Sequence, residues 1–140
     1  MPLKASELKV GDTYEKEVCR NLSRTQIVQY AGASGDYNPL HSDEIFTTQV
    51  AGYPSVFAHG MLTMGMTDGM LTDYVDDGRL HSYGVRFTSQ VWPGDTLVAK
   101  ATITGITEKD GEKIAEIDVE TTNEEGTVVV KGQATAALDD

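Results

Sequence analysis

The stretch SGDYNPLH, residues 34–41, contains a carboxylate and an imidazole that could exchange protons, Asp36 and His41. Two such side chains can hold one water between them, so that one takes its proton and the other supplies a proton elsewhere. This arrangement suits the addition or removal of water across a polarised double bond. Alternatively, Asp36 only caps its own turn, a common use of Asp in loops, and His41 is a surface residue. Residue type and spacing alone do not choose between the two.

A second candidate is the backbone amide of Gly60, which lies near the start of an apolar stretch, residues 57–75. The first amides of a helix have no partner within it and carry partial positive charge, so they can stabilise an oxyanion. Glycine would let a carbonyl oxygen approach closely. Gly60 could also serve only to let the chain enter the core, and the catalytic interpretation gains weight only together with an acid–base pair.

Three histidines and many carboxylates raise the question of a metal site; the histidines are His41, His59 and His81. Their spacings match no common ligand motif, and Cys19 lies in a predicted strand away from them, so no metal is expected. The chain also has no glycine-rich phosphate loop and no G-x-S-x-G nucleophile motif. No cofactor is expected.

Local signals place the acid and the imidazole in a loop between two helices. Ser23–Gln26 matches a capping box, and the helical spacing that follows predicts a helix ending at about Gly35. Ser42, with two acidic residues after it, predicts the start of a short second helix. Asp36 and His41 therefore occupy the turn between these helices, and tightly held loops often carry function.

The remaining pattern indicates an α+β fold with an antiparallel sheet wrapped around one helix. Residues 13–22 predict a first strand, and residues 57–75 are apolar almost all round, which is typical of a buried central helix. Gly60, Gly65 and Gly69 are expected to let the sheet approach this helix closely. Val-, Ile- and Thr-rich segments with period-two patterning predict the other strands, at 83–91, 96–107, 113–122 and 127–138.

The composition is that of one globular domain, predicted to cover residues 1–140, with 39% hydrophobic and 24% charged residues. The formal net charge of −11, with scattered lysines and arginines, argues against a nucleic-acid partner. No stretch is apolar over the length that a membrane span needs, and the N-terminus lacks the apolar run of a secretory signal. A single cysteine, Cys19, allows no internal disulfide, so a cytoplasmic location is expected.

Three stretches together resemble a known family. YAGASGDYNPLH (30–41) resembles the hydratase-2 motif of the MaoC-like, (R)-specific enoyl-thioester hydratases and dehydratases. AHGMLTMG (58–65) resembles the start of that family's central helix, and VRFTSQVWPGDTL (85–97) its strand and Pro-Gly-Asp turn. The similarity covers residues 8–138, and the combination resembles the catalytic subunits of mycobacterial 3-hydroxyacyl-thioester dehydratases of type II fatty acid synthesis.

The resemblance implies a single hot dog fold, in which an antiparallel sheet curls around one long helix. It implies that Asp36 and His41 are the catalytic pair, that the Gly60 amide is the oxyanion donor, and that Asn38 fixes the loop. The implied reaction is reversible syn hydration of a trans-2-enoyl thioester to the (R)-3-hydroxyacyl thioester in fatty acid metabolism. The implied partners are an acyl thioester of CoA or acyl carrier protein and a second hot dog subunit, in a homodimer or a heterodimer.

Two alternatives stay open at the level of sequence. A hot dog thioesterase would share the fold and the ligand but direct water to the carbonyl carbon, and the Asp-x-Asn-Pro-x-His turn argues against it. The chain could also be one subunit of a heterodimeric dehydratase whose other member is not catalytic. Because this chain retains Asp36, His41 and Gly60, we expect it to be the active member of any such pair.

Two positions depart from the family pattern. The motif usually ends with Ala or Ser where this chain has Thr47, a change expected to affect mainly packing. Some relatives carry a serine about two turns into the central helix, and here Thr67 and Asp68 lie in that region. The shape of the acyl pocket, and therefore acyl-chain specificity, does not follow from the sequence at this point.

Overall fold

One antiparallel sheet of five strands, in the order β1-β3-β4-β5-β2, dominates the computed structural model, which describes residues 1–140. The α+β hot dog prediction is confirmed, because the long helix α2 packs on one face of this sheet. None of the helices is both long and apolar enough to cross a membrane. The strands are β1 (Thr13–Cys19), β2 (Leu80–Phe87), β3 (Leu97–Lys109), β4 (Glu112–Thr122) and β5 (Val128–Leu138), and the helices are α1 (Arg24–Ser34) and α2 (Gly60–Val75).

The core lies between α2 and one face of the sheet. Met70, Leu71 and Val75 of the helix are fully buried there. The strand residues that meet them alternate along β3, β4 and β5, as expected for strands with one face in the core. Many of these residues are alanines, which let the helix backbone lie close to the sheet; the group comprises Ala99, Ala101, Ala115, Ala134 and Ala136.

The helix α2 is not buried all round, contrary to the expectation from its sequence. The side chain of Met61 is 57% exposed, and Gly65 also lies on the open face. A Cβ atom added at Gly65 or Gly69 would meet nothing within 4 Å, so these glycines are not needed for close approach of the sheet. Of the three helix glycines, only Gly60 has close neighbours, because its added Cβ would lie 3.0 Å from the ring of Phe87.

Some predicted boundaries were wrong, each for a local reason. The first strand ends at Cys19 because Asn21 takes a left-handed conformation, with φ of 50°. The strand predicted at 83–91 is β2, Leu80–Phe87, which leaves the sheet after Phe87. The second short helix begins after Asp43, not at Ser42, because the Oδ1 atom of Asp43 accepts the hydrogen bond from the Phe46 amide at 3.0 Å.

A close backbone approach between β2 and β5 makes Gly132 structurally critical. A Cβ atom there would lie 2.0 Å from the Gly84 carbonyl oxygen and 2.7 Å from the Val85 Cα. We expect Gly132→Ala to lower the free energy of unfolding by about 1–3 kcal/mol or more, because the strands must separate to admit the methyl group. Gly84→Ala is the matched control, since a Cβ at Gly84 meets nothing within 4 Å. Urea titration measures both, and equal stability of the two variants would contradict this explanation.

Candidate active site

The helix that precedes the candidate site is fixed at both ends by its own sequence. The Ser23 hydroxyl accepts the hydrogen bond of the Gln26 amide at 3.0 Å, and the Gln26 side chain accepts that of the Ser23 amide at 2.9 Å. This confirms the predicted capping box. At the other end Gly35 takes a left-handed conformation, with φ of 76°, and turns the chain into the candidate loop.

Hydrogen bonds between side chains and backbone fold residues 36–41 into a compact turn. The Oδ1 atom of Asp36 accepts from the Asn38 amide at 3.2 Å, and the Oδ1 atom of Asn38 accepts from the Leu40 amide at 3.0 Å. Asn38 thereby caps a short 3-10 turn, Pro39–His41, which has proline in its first position. One oxygen of the Asp36 carboxylate thus stabilises the turn, which is the capping role considered as the alternative to catalysis. The other oxygen makes no hydrogen bond within the chain.

The buried residue Thr47 ties this turn to the following segment. Its side chain is fully buried, and its hydroxyl donates a 3.0 Å hydrogen bond to the carbonyl oxygen of Pro39. Thr47 belongs to a π-helical turn, Phe46–Val50, that packs beside the loop. Relative to Ala, Thr47 therefore adds a polar contact to the loop. A Ser hydroxyl could make the same contact, so relative to Ser the added methyl group mainly affects packing.

The ring of His41 is oriented by the backbone of Phe57. Its Nδ1 atom lies 2.6 Å from the Phe57 carbonyl oxygen, and its ring meets the Phe57 ring edge-on, with centroids 5.4 Å apart. Because a carbonyl oxygen can only accept, Nδ1 carries the proton of the neutral ring, and in that tautomer the lone pair is on Nε2. His41 is half-buried and presents a basic nitrogen.

The structure brings Asp36 and His41 together, and it adds a residue whose place here the sequence did not indicate, His59. One polar atom from each of the three side chains lies within 4.8 Å of the other two. Asp36 is exposed, His41 half-buried and His59 only 2% exposed. Sequence spacing could not reveal this cluster, because His59 reaches it through the fold and not through a local turn.

A carboxylate and two imidazoles in proximity could hold a divalent cation, but their arrangement does not favour one. The rings of His41 and His59 stack with centroids 3.8 Å apart and planes inclined by 23°. A metal must lie close to the plane of each imidazole that binds it, and two nearly parallel planes do not meet within bonding distance of both rings. One nitrogen of each ring also contacts a backbone carbonyl oxygen. That this cluster binds no metal stays a prediction.

The amide of Gly60, at the first position of α2, makes no hydrogen bond within the chain. It borders an open cavity of about 290 Å³ that is lined mainly by apolar groups. Phe57 lines this cavity, and its carbonyl oxygen contacts His41, so it connects the cavity wall with the acid–base pair. A Cβ atom at this position would lie 3.0 Å from the Phe87 ring, so any other residue here would displace that ring beside the cavity.

Comparison with known proteins places these features in a family. Residues 5–129 match the family described as MaoC like domain. The chain belongs to this family. The prediction made from its three motifs is therefore confirmed for the family and for its fold.

Individual relatives of this MaoC-like chain agree with that assignment. It is 32% identical to the (R)-specific enoyl-CoA hydratase of Rhodospirillum rubrum, over 94% of this chain and 89% of that protein. It is 45% identical to 3-hydroxyacyl-thioester dehydratase Y of Mycobacterium tuberculosis, over 46% of this chain but only 23% of that protein. The chain spans a third or less of the length of several curated relatives that it matches.

A solved structure shows the same architecture over nearly the full length. The (R)-hydratase from A. caviae involved in PHA biosynthesis superposes with a TM-score of 0.82, at 26% sequence identity. The alignment covers 96% of the MaoC-like chain and 99% of that enzyme.

Proposed function

We propose that this MaoC-like chain catalyses the reversible syn hydration of trans-2-enoyl thioesters to (R)-3-hydroxyacyl thioesters. The observation that carries the proposal is the convergence of Asp36 and His41 with His59, because the residue that follows His59 is Gly60, whose amide is unpaired. Membership of the MaoC-like family and similarity over most of both chains to an (R)-specific enoyl-CoA hydratase support it. Thioesters of CoA and of acyl carrier protein are both candidate substrates.

In the proposed reaction, the Gly60 amide donates a hydrogen bond to the thioester carbonyl oxygen. This bond, with the positive end of α2, stabilises the negative charge that develops on oxygen in the enolate-like transition state. The effect is strongest in the transition state, because the carbonyl carries less charge in the bound substrate. The free amide and the adjoining cavity support this role.

Asp36 and His41 hold the attacking water and move its protons. An O–H bond of the water breaks as its oxygen bonds to carbon 3, and the electrons of the double bond move toward the thioester carbonyl. Carbon 2 then takes a proton from the same face, delivered by the acid–base pair, which gives syn addition. The free Nε2 lone pair of His41 and the free carboxylate oxygen of Asp36 support a shared water, and the capping role of Asn38 supports its function in fixing the loop.

We also propose that the active form is a dimer, either of two copies or of this chain with a related hot dog subunit. In the single chain Asp36 is open to solvent, although the reaction requires a site that excludes bulk water. Exposed apolar side chains lie near the site, with exposures of 71% for Tyr37, 57% for Met61 and 51% for Phe87. Large apolar side chains exposed around a site are typical of a protein interface. The unpaired edges of β1 and β2 also favour association.

The proposed activity is tested with crotonyl-CoA and longer trans-2-enoyl-CoAs. Loss of the enoyl absorbance, with an (R)-3-hydroxyacyl product on chiral chromatography, is the expected result. The same reactions are followed with a thiol reagent, alongside the matching saturated acyl-CoAs. Release of free CoA from saturated substrates without enoyl hydration would instead identify a thioesterase and contradict the proposal.

A further inference from the structure

The histidine that precedes Gly60 is unusual among the polar side chains of this protein. His59 is 2% exposed, and its Nδ1 atom is the one buried side-chain nitrogen or oxygen without a hydrogen-bond partner. Native proteins contain few such atoms, and each requires an explanation. The reaction described above makes no use of His59, although its backbone leads directly into the proposed oxyanion donor.

One contact of His59 holds the backbone of the catalytic loop. Its Nε2 atom lies 3.0 Å from the carbonyl oxygen of Asp36. The carbonyl can only accept, so Nε2 carries a proton; a second proton at the buried Nδ1 atom would have no acceptor, so Nδ1 keeps a bare lone pair. His59 is therefore a neutral imidazole that fixes the position of the Asp36 backbone.

The second contact holds the ring of His41. The two imidazoles stack with centroids 3.8 Å apart, and Tyr30 from α1 packs edge-on against His59 with centroids 4.8 Å apart. The hydrogen bond from Nδ1 to Phe57 fixes one atom of His41, and the stack fixes the plane of its ring. Together the two contacts leave one orientation for the basic Nε2 atom.

The neutrality of His59 is compatible with proton transfer at His41. Two imidazolium rings at this distance would repel each other strongly, so His41 accepts a proton most easily while His59 has none. The charged and titratable groups that face His59 are Asp36, His41 and Tyr30. Burial lowers the pKa of His59, although the hydrogen bond to the Asp36 carbonyl acts in the opposite direction.

We propose that His59 is a positioning residue, which holds the Asp36 backbone by one hydrogen bond and the His41 ring by stacking. It acts on the reaction only through these two residues. Because its own backbone continues into Gly60, it also sets the distance between the acid–base pair and the oxyanion donor. This inference rests on the proposed hydration of enoyl thioesters.

Two substitutions separate the two contacts. His59→Gln places an amide N–H near the position of Nε2 and keeps the donor to Asp36, but it removes the ring. His59→Phe keeps a ring to stack on His41 and removes the donor. The same two substitutions at His81 are matched controls, because His81 is exposed on β2 and its side chain forms an ion pair with Glu112, at 3.3 Å.

We expect H59F to lower kcat about 100-fold, since displacing a catalytic group by about 1 Å has an effect of this size. H59Q keeps the loop in place and is expected to lose about 10-fold, through freedom of the His41 ring. The KM of both variants should stay within about three-fold of the parent, because His59 does not touch substrate. The His81 variants should retain kcat within about two-fold. Thermal melting and sedimentation accompany every assay.

If folded H59F keeps kcat within about three-fold of the parent, or changes only KM, the positioning role is wrong. If H59F does not fold, the test rests on H59Q. A kcat of H59Q equal to that of H81Q would then overturn the proposal. Imidazole ¹⁵N spectra of the parent should show His59 protonated at Nε2 alone, and the His41 signals should shift in H59F. These spectra separate the two proposals, because a parent without hydratase activity would contradict the proposed function and leave the spectroscopic test of positioning valid.

Discussion

Asp36→Asn is expected to lower kcat for enoyl-CoA hydration by about 10²–10⁴-fold, the usual contribution of a positioned general acid or base. The amide keeps the oxygen that accepts from the Asn38 backbone at 3.2 Å, so the turn should persist while the proton acceptor is lost. Loss of activity would then report on chemistry and not on folding. Steady-state turnover of crotonyl-CoA, beside a thermal melt, gives both quantities.

His41→Asn should have an effect of the same size for a parallel reason. The Asn amide nitrogen lies near the position of Nδ1 and can still donate to the Phe57 carbonyl, but no basic nitrogen replaces Nε2. Because both side chains are proposed to hold one water, the double variant should be little worse than either single variant. Additive losses would show that the residues act on separate steps.

Controls for this prediction come from exposed residues of the same types outside the site. Asp77→Asn and His81→Gln should retain kcat within about two-fold, because neither residue lies near the cluster of Asp36, His41 and His59. If Asp36→Asn or His41→Asn matched these controls, the proposed acid–base pair would be wrong.

The elements that position the site could be predicted where their causes are local. The capping box at Ser23 and the left-handed Gly35 fix α1 from neighbouring residues alone, and the structure confirms both. The long strands β3, β4 and β5 follow from period-two patterning over many residues. The boundaries of β2 were wrong because its pairing with β5, and not its own pattern, decides where it begins.

The least predictable feature is the cluster itself. His59 joins Asp36 and His41 only because the segment before α2 lies against the loop, and no spacing rule connects residues that meet in this way. The hydrogen bond from Thr47 to Pro39 is hidden for the same reason. The exposed face of α2 was not predicted, because an apolar sequence predicts burial but does not distinguish burial within the chain from burial against a second chain.

The exposed face of α2 suggests that the protein loses activity when its subunits dissociate. We expect a dimer at micromolar concentration and a fall in specific activity as dilution produces monomers. The physical reason is that Asp36 is exposed and Phe87, beside Gly60, is half-exposed in the single chain, so bulk water would reach the reacting atoms. Sedimentation run beside enoyl-CoA turnover over the same concentrations measures both.

A substitution on the open face should reproduce the effect of dilution. Met61→Lys places a charge on an exposed apolar residue of α2, whereas Val10→Lys makes the same change at a residue 65% exposed in a turn outside the site. We expect only Met61→Lys to weaken the dimer, and its activity should rise with concentration in proportion to the dimer present. This proportionality distinguishes loss of the partner from direct damage to the neighbouring Gly60 amide. A monomer with full activity would refute the shared site while leaving the roles of Asp36 and His41 intact, since those residues come from one chain.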